Sequence, residues 1–511
     1  MEKILQVISD VNSAINSVVW GVPMLMLIGG TGILVTVLTK CFQITKIKLW
    51  YQETIGGLFK KSDITDKSDK NAISQFQALC TALAATIGVG NIAGVATAIV
   101  SGGPGAVFWM WVSAFFGTMT NYAENVLGIY YRRKNEKGEW SGGAMYYLRH
   151  GLGAKKDMRG IGKFLAIIFS IFCIGASFGI GNMSQVNNIA TNMKSAFGVS
   201  PVVTGIVLMF LVGLVVIGGI KRIAAVTEKF VPFMAIAYIV GSFAIVIANA
   251  KNILPAFGAI FSFAFGFKAI GGAVAGVAVK NAITWGYKRG IFSNEAGLGS
   301  SVMVHSASNV KEPVVQGMWG IFEVFADTMI VCTLTALVIL TSGIIDLNTG
   351  ALIMDVTADA ALVTKAFEMQ FGSLGAGFIA LAILLFASST VLGWSFYGTK
   401  AWEYLFGTKS TIIYKVVFVV FVVFGATMDL GLAWDISDTL NGLMALPNLI
   451  GVLYLSGLVV KITKNYIERH VQGKDVEPML SAFPEIQREQ AKAIKNEKRE
   501  AMLKEKAGKK A

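Results

Sequence analysis

The sequence predicts an all-α polytopic membrane protein with two interrupted helices. Its 511 residues are 54% hydrophobic and only 15% charged, values that exclude most soluble folds. About eleven apolar runs each approach the roughly 20 residues that a bilayer requires. In two of those runs glycines interrupt the apolar pattern, at corresponding places in the two halves of the chain.

The runs lie at 18–40, 73–101, 104–131, 161–192, 200–220, 224–250, 267–287, 314–342, 372–397, 410–427 and 438–461. The joins between them alternate in charge. Lys46, Lys48, Lys60, Lys61, Lys67 and Lys70 follow the first run, and Arg132, Arg133, Lys134 and Lys137 follow the third. Lys221 and Arg222 follow the fifth, and Lys288, Arg289 and Lys311 the seventh. The joins 343–370 and 428–438 carry Asp346, Asp355, Asp359, Asp429, Asp435 and Asp438 instead. Because basic loops stay on the cytoplasmic side, the expected location is the cell membrane, with an external N-terminus and a cytoplasmic C-terminus. The expected divisions are 1–72 (one helix and a basic loop), 73–250 and 251–461 (two five-helix sets), and 462–511, a charged cytoplasmic tail.

The net charge of +13 is not a nucleic-acid footprint, since the basic residues sit in the joins. Cys41, Cys80, Cys173 and Cys332 are far apart, and three histidines lie in polar joins, so neither a metal centre nor another cofactor is expected. No catalytic His/Cys/Asp cluster or nucleophile elbow appears at membrane depth, which argues against an enzyme. The first twenty residues lack a basic start before an apolar core, so no cleaved signal peptide is expected.

The first interruption is Gly88-Val89-Gly90-Asn91. A lipid-facing helix would lose backbone hydrogen bonds there at a cost of several kcal/mol, so the break must line a cavity or a solute. The motif superficially resembles a dinucleotide fingerprint, but helix formers, FQALCTALAAT, precede it instead of a strand. Such a hinge exposes carbonyls that suit a hard cation and N–H groups at Val89, Gly90 and Asn91 that suit a carboxylate. The second interruption is expected at Gly271, Gly272 and Gly276. Broken helices in corresponding positions of two halves point to an inverted-repeat secondary transporter.

GGPGAVFWMWVSAFFG (Gly102 to Gly117), with GVGNIAG before it and RGIFSNEAGLGS (Arg289 to Ser300) after it, resembles the alanine or glycine:cation symporter family. The resemblance covers nearly all the chain except the tail. It implies a leucine-transporter-like 5+5 inverted repeat with one extra N-terminal transmembrane helix. It also implies import of a small neutral amino acid, alanine or glycine, coupled to Na⁺ by alternating access. Some members use H⁺ and some relatives prefer glutamine. Carried over by position, a Na⁺ site would use the carbonyls of Ala84, Ile87 and Phe386 and the hydroxyls of Ser389 and Thr390. The last three share a helical face, although the hydroxyls could equally bond back to their own preceding turn. The substrate carboxylate would meet Val89, Gly90 and Asn91, and its amino group the carbonyls at Gly271–Gly276. Phe178, Gly179, Gly181 and Trp394 would wall the site, and Asn182, Gln185 and Asn188 would line the entry path.

Intramembrane acids need partners. Glu124 is expected to snorkel toward Arg132 or Arg133, and Glu323 and Asp327 to form a gate with Lys288 or Arg289 near the cytoplasmic side. No ionisable group is expected at the first break, which favours Na⁺ over H⁺. Asn294 and Glu295 are read as part of a tight cytoplasmic turn. A channel is the runner-up from another class, but no repeated ring of carbonyls or charges is visible.

Overall fold

The computed structural model describes residues 2–60, 62–266, 272–357, 359–428 and 431–508. An amphipathic helix, α1 (Glu2–Val19), leads into the apolar α2 (Val22–Leu38), and two short helices, α3 (Phe42–Thr45) and α4 (Ile47–Glu53), follow. Among the described residues seven helices are long and apolar enough to cross a membrane, or eight if the bent pair α5 (Gln75–Thr86) and α6 (Ala93–Gly102) is one span. The expected runs at 104–131, 200–220 and 267–287 are also helices: α7 (Ala106–Tyr131), α11 (Pro201–Val216) and α14 (Gly272–Asn294).

The first bend has a local cause. Ser74 accepts from Gln77 N–H while Gln77 Oε1 accepts from Ser74 N–H, a capping box that starts α5. Gly88 then turns extended, Val89–Asn91 form a single tight turn, and α6 leaves at 61° to α5. The third core helix, α9 (Arg159–Phe178) and α10 (Ser184–Phe197), passes through a widened π turn at Gly179–Met183. A second π segment, Phe325–Cys332, joins α16 (Pro313–Val324) to α17 (Thr333–Thr341). Such π turns concentrate at functional sites.

The remaining long helices are α12 (Gly219–Ala248), α19 (Ser373–Phe406), α20 (Thr411–Thr427) and α21 (Gly431–His470). Counting from α5, helices at the first four places in two sets of five pack on their counterparts. Thus α6 meets α14, α7 meets α16, α9 and α10 meet α19, and α11 meets α20. A short helix also precedes the third member of each set and packs on it: α8 (Ala144–His150) before α9, and α18 (Ala360–Phe371) before α19. In lipid, where the hydrophobic effect does little between helices, small residues permit such close approach. At Gly320 of α16 an added Cβ would lie 2.4 Å from Asn121 and from Asn125 of α7.

The expected second interruption is moved by the structure. Gly271 lies outside the described residues. Gly272 and Gly276 belong to the continuous helix α14, preceded by α13 (Ile253–Ala264), and an added Cβ at Gly276 would meet nothing within 4 Å. The described break comes later. After Asn294 the backbone turns left-handed at Glu295 (φ 57°), Gly297 (φ 95°) and Gly299 (φ 73°) before the short α15 (Val302–His305). Glu295 to Ser301 are all buried, so this segment is an interior break and not an exposed turn.

The tail also departs from expectation. The helix α21 continues to His470, past 461, and the chain then docks before α22 (Pro484–Gly508). Leu480 is fully buried, and Ile486 packs with Ala72 and Trp140. The Arg133 guanidinium lies 4.5 Å over the Phe483 ring, and His150 meets that ring edge-on at 5.4 Å. Burial, followed by Arg133 and Arg149, pushes the His150 imidazole down to about 4. Glu312 precedes α16 and turns its carboxylate to Arg469 of α21, which donates to it through both terminal guanidinium nitrogens.

Candidate functional site

At the first break, one side chain of the break itself and one from α10 take up backbone N–H groups. Gly88 N–H donates to Asn91 Oδ1 at 2.9 Å, and Val89 N–H donates to Gln185 Oε1 at 3.3 Å. Asn91 N–H is held by Gly88 O at 3.2 Å. Two of the three N–H groups expected to meet a carboxylate are thus engaged within the protein. The remaining member, Gly90, faces Phe292 and Ser293 of α14, where an added Cβ would stand 3.2 Å from the Phe292 ring. Gln185, on α10, bonds the break instead of lining the entry path. Asn182 is fastened to Phe418 O at 2.7 Å, and only Asn188 of the three lines a cavity.

Four of the five expected cation ligands come together. Thr390 Oγ1 lies 3.4 Å from Ile87 O and 3.0 Å from Phe386 O, and Ser389 Oγ lies 2.8 Å from Phe386 O. The hydroxyls do bond back to their own turn, and Thr390 adds a reach across to the broken helix. Ala84 is buried in the last turn of α5. The glycine at 88 is required here, because a Cβ would sit 2.3 Å from Thr390 Oγ1. The missing side chain lets α19 approach the hinge closely.

Several expected wall residues have other duties. Phe178 points into an aromatic cluster with Tyr414, Phe418 and Phe421 of α20, at centroid distances of 5.4, 5.7 and 5.0 Å, and does not face the break. Gly179 makes room for Ser437 of α21, and Gly181 for Trp394. Trp394 is buried, packs edge-on to Tyr397 at 5.3 Å, and turns toward Glu295 of the second break.

The residue that the sequence reading placed elsewhere is Asp327. Its Oδ1 accepts from Asn91 Nδ2 at 2.7 Å, and its Oδ2 accepts from Ser293 Oγ and Thr328 Oγ1, both at 2.8 Å. A fully buried carboxylate therefore ties the first break to α14, and an ionisable group does stand at that break. The one sequence signal for it was an acid within an apolar span.

The other intramembrane acids also have partners different from those expected. Glu124 is fully buried and bonds Asn448 Nδ2, which also donates to Gly297 O at 2.9 Å, while Tyr147 OH donates to Asn448 Oδ1. Arg132 turns away from Glu124 to the carbonyls of Ser306, Ser308 and Val310. Glu323 pairs with His305 at 2.8 Å, and Lys288 pairs with Asp438 at 2.9 Å. The Lys288–Asp438 pair lies toward the acidic join that carries Asp438, so Lys288 and Arg289, within α14, do not form the expected cytoplasmic gate. The other contacts fill the second break on the side of the basic loops. On the opposite side, a cavity of about 540 Å³ runs from exposed residues near α18 down to Val89 and Gly90, with Phe292 and Trp434 (centroids 6.3 Å apart) in its lining. The site is reached from the side of the acidic loops and closed toward the basic ones.

The chain resembles known proteins along most of its length. The sodium:alanine symporter family matches residues 5–480. The sodium/alanine symporter AgcS of Methanococcus maripaludis is 48% identical over 463 residues, 90% of this chain and 97% of the relative. The putative sodium/proton-dependent alanine carrier protein YrbD of Bacillus subtilis is 34% identical over 91% of this chain and 94% of its own length. The probable sodium/glutamine symporter GlnT of the same organism is 33% identical over 92% and 93%. Among solved structures, MhsT in complex with L-phenylalanine aligns with 78% of this chain and 99% of its own, with a TM-score of 0.48 and 12% identity. The chain belongs to the sodium:alanine symporter family, a multi-pass membrane transporter that couples an amino acid to a cation and not an enzyme.

Proposed function

We propose that the protein imports a small neutral amino acid, alanine or glycine, together with Na⁺. The observation that carries this reading is the meeting of Ile87 O, Phe386 O, Ser389 and Thr390 at the first break, since hydroxyls and carbonyls are the oxygens a hard cation prefers. The substrate would lie between the two breaks, its carboxylate toward Gly90 and its amino group toward the chain at Glu295–Ser301, beside Trp394. The relative named a sodium/alanine symporter, at 48% identity, supports the same pair of solutes. The pairing of counterpart helices supports a leucine-transporter-like 5+5 repeat. By the charge bias of the loops, the N-terminus is external and the cavity opens outward.

One charge crossing 100 mV supplies about 2.3 kcal/mol, and a tenfold Na⁺ gradient adds about 1.4 kcal/mol. Together they would sustain several-hundred-fold accumulation of a neutral solute, which no channel achieves. Proton coupling is the second reading, and Asp327 is the observation that favours it, because its carboxylate contacts the hinge directly. Uptake of labelled alanine into proteoliposomes under imposed Na⁺ or H⁺ gradients separates the two. Accumulation driven by Na⁺ at constant pH is expected. Accumulation driven by pH in Na⁺-free buffer would replace Na⁺ with H⁺, and mere equilibration would replace symport with a channel.

A further inference from the structure

The cavity leading to the first break has four charged residues in its lining, and three have partners. Lys365 pairs with Glu368 at 3.0 Å, and Asp359 accepts from Ala361 N–H at 2.8 Å. Arg289 has neither a hydrogen bond nor an ion pair among the described residues, and its Nε is buried without an acceptor. Asp438 of α21, whose charge reaches Arg289, takes Lys288 at 2.9 Å and Asn16 at 3.0 Å on Oδ2 and makes no hydrogen bond to the guanidinium. The guanidinium instead lies 5.4 Å over the Trp285 ring and 5.6 Å over the Phe292 ring. Aromatic contacts of this kind position a guanidinium and leave its N–H donors available for a planar anion.

Its position in the path is informative. Arg289 precedes Phe292 by one helical turn on α14, and Phe292 is the ring against Gly90. A solute descending the cavity meets the guanidinium before it reaches the hinge, where Gln185 and Gly88 already occupy two backbone groups. We propose that Arg289 binds the carboxylate of the incoming amino acid in the cavity, as a capture site above the first break. This rests on the amino-acid reading given above. A paired fork of N–H donors gives a carboxylate two charge-assisted bonds, and a cation without a direct ion pair in a cleft raises the arrival rate of its ligand. Capture ends when the substrate passes Phe292, so its effect falls on association and not on the transport step.

Stopped-flow binding of alanine to the purified full-length protein tests this. Arg289→Gln should slow association about tenfold while dissociation and uptake at saturating alanine stay as in the unaltered protein. Arg289→Lys, which keeps the charge but not the fork, should lie between. High KCl should slow association of alanine with the unaltered protein, and leave the Gln variant unchanged. If Arg289→Gln does not fold, the salt response of the unaltered protein, compared with that of alaninol, which has no carboxylate, still decides. Association at the normal rate in Arg289→Gln, a loss confined to dissociation or saturating uptake, or an equal salt response to alanine and alaninol would overturn the capture site. Failure of the unaltered protein to bind alanine, glycine or glutamine would instead overturn the amino-acid reading.

Discussion

The two helix breaks solve the same problem with different chemistry. At the first, between α5 and α6, neutral groups from Gln185, Asn91 and Thr390 cover the exposed backbone, and a single carboxylate, Asp327, stands behind them. At the second, from Asn294 to α15, the surroundings are rich in acids: Glu295 lies in the break, Glu124 reaches it through Asn448, and Glu323 pairs with His305 at its end. The first break borders the open cavity, and the second is packed shut. The difference teaches that one hinge is arranged to receive a solute and the other, in this conformation, to keep the far side closed.

The largest expected effect comes from filling the space at the first hinge. Gly88→Ala would place a Cβ 2.3 Å from Thr390 Oγ1, so uptake should fall to background. Adding Thr390→Ala removes the clashing atom, and a partial return of binding in the double variant would show that the crowding is the cause. Normal uptake by Gly88→Ala alone would break the comparison, because the first hinge would then tolerate a side chain.

Next in size is Asp327→Ala, which leaves Asn91, Ser293 and Thr328 donors buried without their acceptor. At about 1–3 kcal/mol for an unsatisfied buried group, binding should weaken roughly 10- to 100-fold. Asp327→Asn sharpens the result. If it abolishes pH-driven uptake and spares Na⁺-driven uptake, the carboxylate serves proton coupling. If both survive, the carboxylate is structural.

Thr390→Ala should have a smaller, selective effect. Loss of one oxygen, worth about 1–1.5 kcal/mol, should raise the Na⁺ concentration for half-maximal uptake about tenfold, with little change at saturating Na⁺. An unchanged Na⁺ dependence would mean that the cation binds elsewhere.

Gly276→Ala should be silent, or stabilise α14 by up to about 1 kcal/mol, because the site is open and helical. Loss of transport would restore the hinge to 271–276. The smallest effect concerns the docked tail. His150 titrates at about 4 beside Phe483, against 6.5 for a free imidazole, so its contribution to docking is complete above 6.5. It is lost as the pH falls from 6.5 toward 4. Energy transfer between dyes at the tail and at α8 should drop across that window, and a drop on raising the pH would reverse the assignment.

Much of this was legible without coordinates. Apolar runs of membrane length are dictated by the bilayer, so nine of the eleven expected runs begin or end within about four residues of their helices, while 267–287 is displaced from α14. The main exception is the last, extended in both directions by α21. The first hinge was legible because two glycines and an asparagine interrupt a run that is otherwise apolar. The second was missed because its glycines, Gly297 and Gly299, fall after the run ends, where glycine normally signals a loop. Local sequence therefore determined the helices, the first break and the oxygens of Phe386, Ser389 and Thr390 on one helical face. Tertiary structure alone decided that Asp327 reaches Asn91 and not Arg289, that Phe178 turns to α20, and that Glu124 meets Asn448. The physical reason is that a buried charge takes the partner that packing brings to it, and packing joins residues hundreds of positions apart.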